Sequence, residues 1–403
     1  MKKIQDIYKN HRFFVFFILV ILNLLLVSKL ILTGRFYPET IWLNKNNLDF
    51  KELQTYFRDL ANKKGAEYAF QVLNSTNLPP DTDVHLLAHS VGDILYKQKG
   101  VKGIQVCTDD FRNACSHSIV IGLFIERGID AIVDIAKACR EAPGGSGSYA
   151  MCFHGLGHGV LAYAEYDMMT ALNLCRKVGT AEFNYVESGE CVGGIVMEMV
   201  NGVHDKDAWD AQKDNYFKKD NPLYPCDQGI IPSNGRFYCF WYLTPHLWES
   251  AGGDFSNPNA SDFEKAFKYC GNLTGDKEEY KEACYGGFGK EFVVFASPDG
   301  DIRKVESMTK EGFAQIYNWC ALAKVKEGVE PCIAQAVNAL YWGGENGSNI
   351  PTSFCNEVLD KNYKDMCFSH LIGSFKFYKN GAQMFKECSY LPADYKKICL
   401  STK

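Results

Sequence analysis

The chain has 403 residues, of which 23% are charged, and its formal net charge at pH 7 is -5. Lys and Arg are scattered rather than clustered, so the composition excludes the large basic surface that nucleic-acid binding requires. A chain of this length can bury a large core, either in one large domain or in two ordinary ones.

A strongly apolar segment lies close to the amino terminus. Residues 13–32 read FFVFFILVILNLLLVSKLIL, and twenty helical residues at about 1.5 Å each span the roughly 30 Å core of a bilayer. The preceding residues 1–12 contain four basic side chains, which predicts that this tail is cytoplasmic. A cleaved signal peptide is the alternative, but no small-x-small cleavage site follows. We therefore expect a single-pass membrane anchor over 13–32, with residues 36–403 as an extracytoplasmic domain in the periplasm or on the cell surface.

Residues 36–106 contain no cysteine and show helical patterns. The stretch FKELQTYFRDLANKKGAEYAFQVL has apolar residues spaced near 3.6 and a break at Lys64-Gly65, which predicts two helices. A further helix is predicted in DTDVHLLAHSVGDILYKQ, after two prolines. Its N-cap candidates are Asp81, Thr82 and Asp83. Long strand-like alternation is absent from the sequence, so we expect an all-α fold.

The sixteen cysteines all lie in the remaining part, residues 107–403, and form eight couples in chain order. Members of a couple are 8 to 16 residues apart, whereas successive couples are separated by 21 to 36 residues. An even number of cysteines in an exported domain favours disulfides. A metal or iron–sulfur cluster would need close spacings such as C-x-x-C, which the sequence lacks. Sequential pairing closes the shortest loops and leaves no cysteine over, although sequence alone does not prove connectivity. The expected pairs are Cys107 with Cys115, Cys139 with Cys152, Cys175 with Cys191, Cys226 with Cys239, Cys270 with Cys284, Cys320 with Cys332, Cys355 with Cys367 and Cys388 with Cys399.

Each couple is flanked by helix-like segments. The first cysteine usually ends one, as in IVDIAKAC, and the second begins another, as in CVGGIVMEMV. Polar connections lie between them, so each disulfide would join the two helices of an αα-hairpin. The couples recur every 32 to 51 residues, and a hairpin needs a neighbour to bury its apolar face. The prediction is a disulfide-crosslinked αα-hairpin repeat array, either a solenoid or a toroid.

Five histidines form the candidate metal site. His85 and His89 are four residues apart in one predicted helix, and His154 and His158 are four apart in another. Residues at i and i+4 share a helix face, so each pair can present two imidazoles to one ion. His117 follows the second cysteine of its couple by two residues, as His154 does. Imidazole ligands suit zinc, copper or iron, and we expect one or two such transition-metal ions here.

Two glutamates stand seven residues after the second cysteine of their couples. Glu198 lies between two methionines and is the candidate catalytic residue, as an additional ligand or a general base. Glu291 is expected to be solvated or to cap a helix. Chemistry of other kinds matches poorly, because G-x-S-x-G, H-E-x-x-H and C-x-x-C-H are all absent from the sequence.

The glycines of CFHGLGHGV are unfavourable in a helix interior, where each costs about 1 kcal/mol relative to alanine. Gly155 and Gly159 would share one face of this helix. We expect that face to allow close approach of another helix or of a ligand.

Several of these segments together carry a resemblance. The chain resembles bacterial cysteine-rich exported proteins in which H-x-x-A-H is followed by C-x-H-G-x-G-H and by later C-x-G-G elements. No established activity comes with that resemblance. The array is also loosely similar in architecture to disulfide-containing Sel1-like repeat proteins, whose cysteine spacing is shorter and more regular. The matching stretches are residues 85–89, 152–158, 191–194, DNPLYPC ending at 226, and 284–287.

Two functions follow as hypotheses. The first is a membrane-anchored exported helical repeat protein with a histidine-rich metal pocket, acting as a metal-dependent hydrolase or oxidoreductase. The second is a non-catalytic scaffold whose rigid concave surface binds a protein, a peptide or an envelope glycan.

Overall fold

The computed structural model describes residues 37–401 except for 47, 77, 79–83, 109, 143–145, 182–183, 202–205, 255–256, 274–277, 301, 343–345 and 380. The expected cytoplasmic tail and the expected anchor over 13–32 therefore lie outside the described residues, and so do the three N-cap candidates at 81–83. Among the helices that are described, none combines the length and the apolarity needed to cross a bilayer.

The described residues form helices and connecting loops, with no strand among them, so the all-α prediction is confirmed. Short 3₁₀ helices also occur, for example Gly100–Val106 and Gly128–Ala131. The described α-helices are α1 (Pro38–Leu43), α2 (Phe50–Lys64), α3 (Ala66–Ser75), α4 (Val84–Lys99), α5 (Ala114–Arg127), α6 (Ile132–Glu141), α7 (Ser146–Tyr163), α8 (Met168–Cys175), α9 (Val186–Asn201), α10 (Lys206–Tyr216), α11 (Ser233–Tyr242), α12 (Thr244–Ser250), α13 (Ala260–Gly271), α14 (Glu278–Ala296), α15 (Lys310–Ala321), α16 (Lys326–Tyr341), α17 (Asn349–Glu357), α18 (Lys361–Tyr378), α19 (Gly381–Cys388) and α20 (Ala393–Ser401).

The predicted break between α2 and α3 has a simple cause. Asp49 starts α2 with a capping box, in which its side chain accepts from the backbone N–H of Glu52. The helix ends at Lys64 because Gly65 adopts a φ of 94°, a conformation that strongly favours glycine. The backbone N–H of Gly65 still bonds to the carbonyl of Ala61, so the chain turns directly into α3.

All eight cysteine couples are disulfide-bonded as predicted. Their Cα atoms lie between 5.5 and 5.8 Å apart, within the normal range for a disulfide. In couples such as Cys139–Cys152, the first cysteine lies near the end of one helix and the second within the next. Each such bond contributes on the order of 3 kcal/mol in the chain-entropy model, which makes the hairpins rigid.

The helices that contain the second cysteines of the first seven couples, here called the inner helices, pack against one another in chain order. The series is α5, α7, α9, α11, α14, α16 and α18, with α4 packed on α5 before it. Helix α18 then packs on α7, where Tyr378 covers Gly147 so closely that a Cβ there would lie 2.2 Å from the ring. Six inner helices, α7 to α18, therefore close into a ring. Of the two architectures left open by the sequence, the structure has the toroid, extended at one side by α4 and α5.

Glycines set the spacing of the inner helices around α7. A Cβ on Gly157 would lie 2.1 Å from the carbonyl oxygen of Cys191 in α9. On the other side, a Cβ on Gly155 would lie 2.5 Å from the His117 ring, and one on Gly159 would lie 3.1 Å from Ile121. The prediction that Gly155 and Gly159 let another helix approach is confirmed, and that helix is α5.

Candidate metal centre

Helices α4 and α5 bring three of the predicted histidines together. His85 and His89 lie one turn apart on α4, and His117 lies on the face of α5 that packs against them. One ligand nitrogen from each of the three can be chosen so that all lie within 4.8 Å of one another. The ring centroids of His85 and His89 are 4.6 Å apart, and that of His117 is 6.0 and 5.9 Å from them.

Hydrogen bonds determine which nitrogens of the α4 pair can bind a metal. The Nδ1–H of His85 donates to the carbonyl of Phe111 at 2.6 Å. The Nδ1 of His89 lies 2.9 Å from the hydroxyl oxygen of Ser118, and it is the donor in the tautomer in which that hydroxyl donates to the His89 carbonyl. Both Nε2 atoms then carry lone pairs, and they lie only 3.2 Å apart. Two nitrogens bound to one tetrahedral ion at 2.0–2.1 Å are about 3.3 Å apart.

His117 is held in the same way by a backbone group. Its Nε2–H donates to the carbonyl of Met151 at 3.1 Å, which makes Nδ1 the basic nitrogen. The side chain is buried, and this burial holds its pKa well below the usual range, with repulsion from His85, His154 and His158 adding to the effect. A neutral imidazole is the form that binds a metal ion.

The second predicted pair lies next to the first. His154 and His158 of α7 also bring their Nε2 atoms to 3.2 Å from each other. Their ring centroids lie 6.4 and 6.5 Å from that of His117, which is therefore between the two pairs. Burial lowers the pKa of His154 well below the usual range, with His158 as the next contribution. All five predicted histidines thus form one continuous group, here called the histidine cluster.

Glu198 lies behind the cluster in α9, with no exposed surface. Its Oε2 accepts from the Nδ1–H of His158 at 2.9 Å, and its Oε1 accepts from the Tyr166 hydroxyl at 2.5 Å. A carboxylate bonded to the outer nitrogen of a ligand histidine is a common feature of metal sites. The expectation for Glu291 was wrong: it lies inside α14, only 9% exposed, with its carboxylate 2.6 Å from the ammonium of Lys290.

The sequence did not predict three residues that contact the cluster or Glu198 behind it. Met197, considered only as an apolar neighbour of Glu198, brings its sulfur to 3.4 Å from His154 Nε2. Tyr166 holds Glu198 from a position 32 residues away. The third is Glu190, whose Oε2 is 3.8 Å from the Nδ1 of His154. Only Met197 had a sequence signal, its position next to Glu198, because the other two contacts depend on how distant helices pack.

The arrangement offers five imidazoles in a partly buried setting, a donor set typical of zinc, copper, iron or nickel sites. The outer nitrogens of His85, His89 and His117 are held by groups that fix their orientation. Such support is what keeps ligand nitrogens directed at an ion. No protein-family model, curated protein or solved structure matches the chain, so its function has to be argued from this geometry.

Proposed function

We propose that this protein is an exported helical ring, anchored through residues 13–32, that binds a transition-metal ion with His85, His89 and His117. The observation that carries the proposal is the convergence of three imidazoles with ligand nitrogens within 4.8 Å. The Nε2 atoms of His85 and His89 lie 3.2 Å apart, and a shared cation stabilises the tautomer in which both carry lone pairs. Eight disulfides support a location outside the cytoplasm, where such bonds persist.

Three imidazoles leave a further coordination position on the metal for water or dioxygen, which suits either a hydrolase or an oxidoreductase. Individual side chains have separate roles in this proposal. His117 provides a neutral nitrogen from a buried position. Glu198 holds His158 through its Nδ1–H, and the Tyr166 hydroxyl engages its other oxygen. These two contacts favour a positioning role for Glu198 over that of a metal ligand or a general base.

The alternative function, a non-catalytic binding scaffold, also has a supporting observation. A cleft of about 390 Å³ opens between α11, α14, α16 and α18, away from the α4–α5 histidines. Phe237 and Trp241 offer aromatic faces there, which stack on apolar faces of a ligand. Glu327, Glu330 and Gln335 offer hydrogen-bonding groups beside them. Such a lining suits a peptide or a glycan, so metal binding is the property that separates the two functions.

Metal analysis of the full-length protein tests the proposal. The protein is purified without an affinity tag or a reductant, loaded separately with Zn²⁺ and Cu²⁺, and dialysed before elemental analysis. We expect at least one equivalent of metal, and its loss from the double variant His85→Ala, His89→Ala. The matched control is His370→Ala, which removes a histidine of the separate cleft and should leave the metal content unchanged.

Circular dichroism checks that each variant remains folded. A wild-type protein that retains neither metal, or a double variant that retains as much as the wild type, would contradict the proposal and favour the binding scaffold.

A further inference from the structure

The α7 pair differs from the α4 pair in having a sulfur beside it. His154 Nε2 lies 3.2 Å from His158 Nε2 and 3.4 Å from the Sδ of Met197. Met197 is on the inner helix α9, which crosses α7 in backbone contact at Gly157 and Gly194. The close backbone contact between α7 and α9 therefore holds the thioether of Met197 next to the imidazole pair.

His154 Nε2 lies next to two acceptors, the Nε2 of His158 and the sulfur of Met197. The Nδ1–H of His158 donates to Glu198, so His158 Nε2 is an acceptor in the neutral ring. The sulfur of Met197 is also only an acceptor. His154 Nε2 faces both, yet carries at most one proton. With that proton on Nδ1, which lies 3.8 Å from Glu190 Oε2, His154 Nε2 presents a lone pair beside those of His158 and Met197.

A single cation can accept lone pairs from both Nε2 atoms and from the sulfur at once, with the proton of His154 on its Nδ1. The 3.2 Å separation of the Nε2 atoms is close to that of two ligands on one ion. Glu198, fully buried behind His158, provides the carboxylate that usually supports such a ligand. The chemistry of the donors then selects the ion, since a thioether is a soft ligand that favours Cu(I) over zinc.

We propose that His154, His158 and Met197 form a second, soft metal site that binds Cu(I). This inference extends the proposed function, because it assigns a specific ion to the part of the histidine cluster that the α4–α5 site does not use. Met197 and His158 are only partly buried, whereas His154 is buried. The α4–α5 site has no sulfur among its three ligands, so the two sites differ in the metal they prefer.

The test is a competition experiment without oxygen, in which the full-length protein takes Cu(I) from its coloured complex with bathocuproine disulfonate. The variant Met197→Leu removes the sulfur while nearly preserving side-chain volume. We expect its Cu(I) affinity to fall at least about tenfold, because even outer-shell changes at metal sites cost 10–100-fold. The matched control is Met199→Leu, a buried methionine of the same helix, which should bind Cu(I) as the wild type does.

X-ray absorption on the Cu(I)-loaded protein gives a readout that a packing role would not change. A sulfur neighbour of copper is expected in the wild type and in Met199→Leu, but not in Met197→Leu. Equal Cu(I) affinities for the wild type and Met197→Leu, or a wild-type spectrum with nitrogen neighbours alone, would overturn the assignment. The double variant His85→Ala, His89→Ala should keep this Cu(I) site, so failure of the α4–α5 site and failure of the copper site give different results.

Discussion

Helices α7 and α14 share one packing arrangement but carry different polar groups. Their sequences after the second cysteine are CFHGLGHG, residues 152–159, and CYGGFGKE, residues 284–291. In both, the glycine five residues after the cysteine touches the backbone of the next inner helix. A Cβ on Gly157 would lie 2.1 Å from the carbonyl oxygen of Cys191, and one on Gly289 would lie 2.0 Å from that of Cys332. The equivalent glycines therefore make equivalent contacts between neighbouring repeats.

The polar positions of the two helices diverge. His154 and His158 of α7 correspond to Gly286 and Lys290 of α14. The Lys290 ammonium lies 2.6 Å from the carboxylate of Glu291 and 5.2 Å from the centre of the Tyr242 ring, contacts that suit a cation. A protonated lysine has no lone pair with which to bind a metal. The comparison separates two parts of the motif: the glycines bring helices together, whereas the histidines belong to the candidate metal centre alone.

The largest expected effect comes from filling the shared backbone contact. Gly157→Ala and Gly289→Ala each place a methyl group within about 2 Å of a carbonyl oxygen that belongs to rigid backbone. We expect each to lower the free energy of unfolding by on the order of 3 kcal/mol, because overpacking outweighs the better helix propensity of alanine. Urea unfolding with the disulfides intact measures the free energy of unfolding of each variant.

The same pair of variants distinguishes packing from chemistry. Gly157→Ala pushes α7 away from α9 and should also weaken metal binding, whereas Gly289→Ala lies in a helix without the histidines and should not. If one variant is destabilised and the other has wild-type stability, the packing of α7 and α14 is not equivalent.

The sequence was sufficient to predict the features that depend on residues close together in the chain. Cysteine spacing predicted all eight disulfides, such as Cys107–Cys115, because the shortest loops are also the turns of hairpins. The i, i+4 spacing predicted both histidine pairs, since helix geometry alone puts them on one face. Closure of the ring through Gly147 and Tyr378 could not be predicted, because it joins helices more than 200 residues apart and depends on the accumulated angle between repeats.

The sequence predicted which histidines lie together, but not the residues that surround them. Repeat equivalence placed His117 beside the other histidines correctly. The contacts of Met197 and Glu190 with His154, and of Tyr166 with Glu198, depend on the rotation of α9 and on the loop after α7, for which periodicity gives no information. Glu198 and Glu291 occupy the same position after their cysteines, yet one meets a histidine and the other a lysine. Their different environments result from how the helices pack in the tertiary structure.

That pair of glutamates gives the next prediction. Glu198→Gln keeps the shape of the side chain but removes the charge that holds the Nδ1–H of His158. We expect Cu(I) affinity to fall about 10–100-fold, equivalent to about 1.4–2.7 kcal/mol, as outer-shell changes do at other metal sites. The competition with bathocuproine disulfonate measures the Cu(I) affinity. Glu291→Gln is the control from the equivalent position and should leave the affinity unchanged, so equal losses in both variants would mean that the glutamates act through stability rather than through His158.

The smallest effect is expected at a helical glycine that has no close neighbour. Gly373 lies in the interior of α18 on an exposed face, and a Cβ there would have no atom within 4 Å. Gly373→Ala should therefore raise the free energy of unfolding by about 0.5–1 kcal/mol, since alanine loses less backbone entropy in a helix. The same urea experiment, run beside Gly157→Ala, should show shifts of opposite sign. A loss of stability in Gly373→Ala would show that alanine is unfavourable even where there is space for its methyl group. Close backbone contact would then not explain why glycine is needed at Gly157 and Gly289.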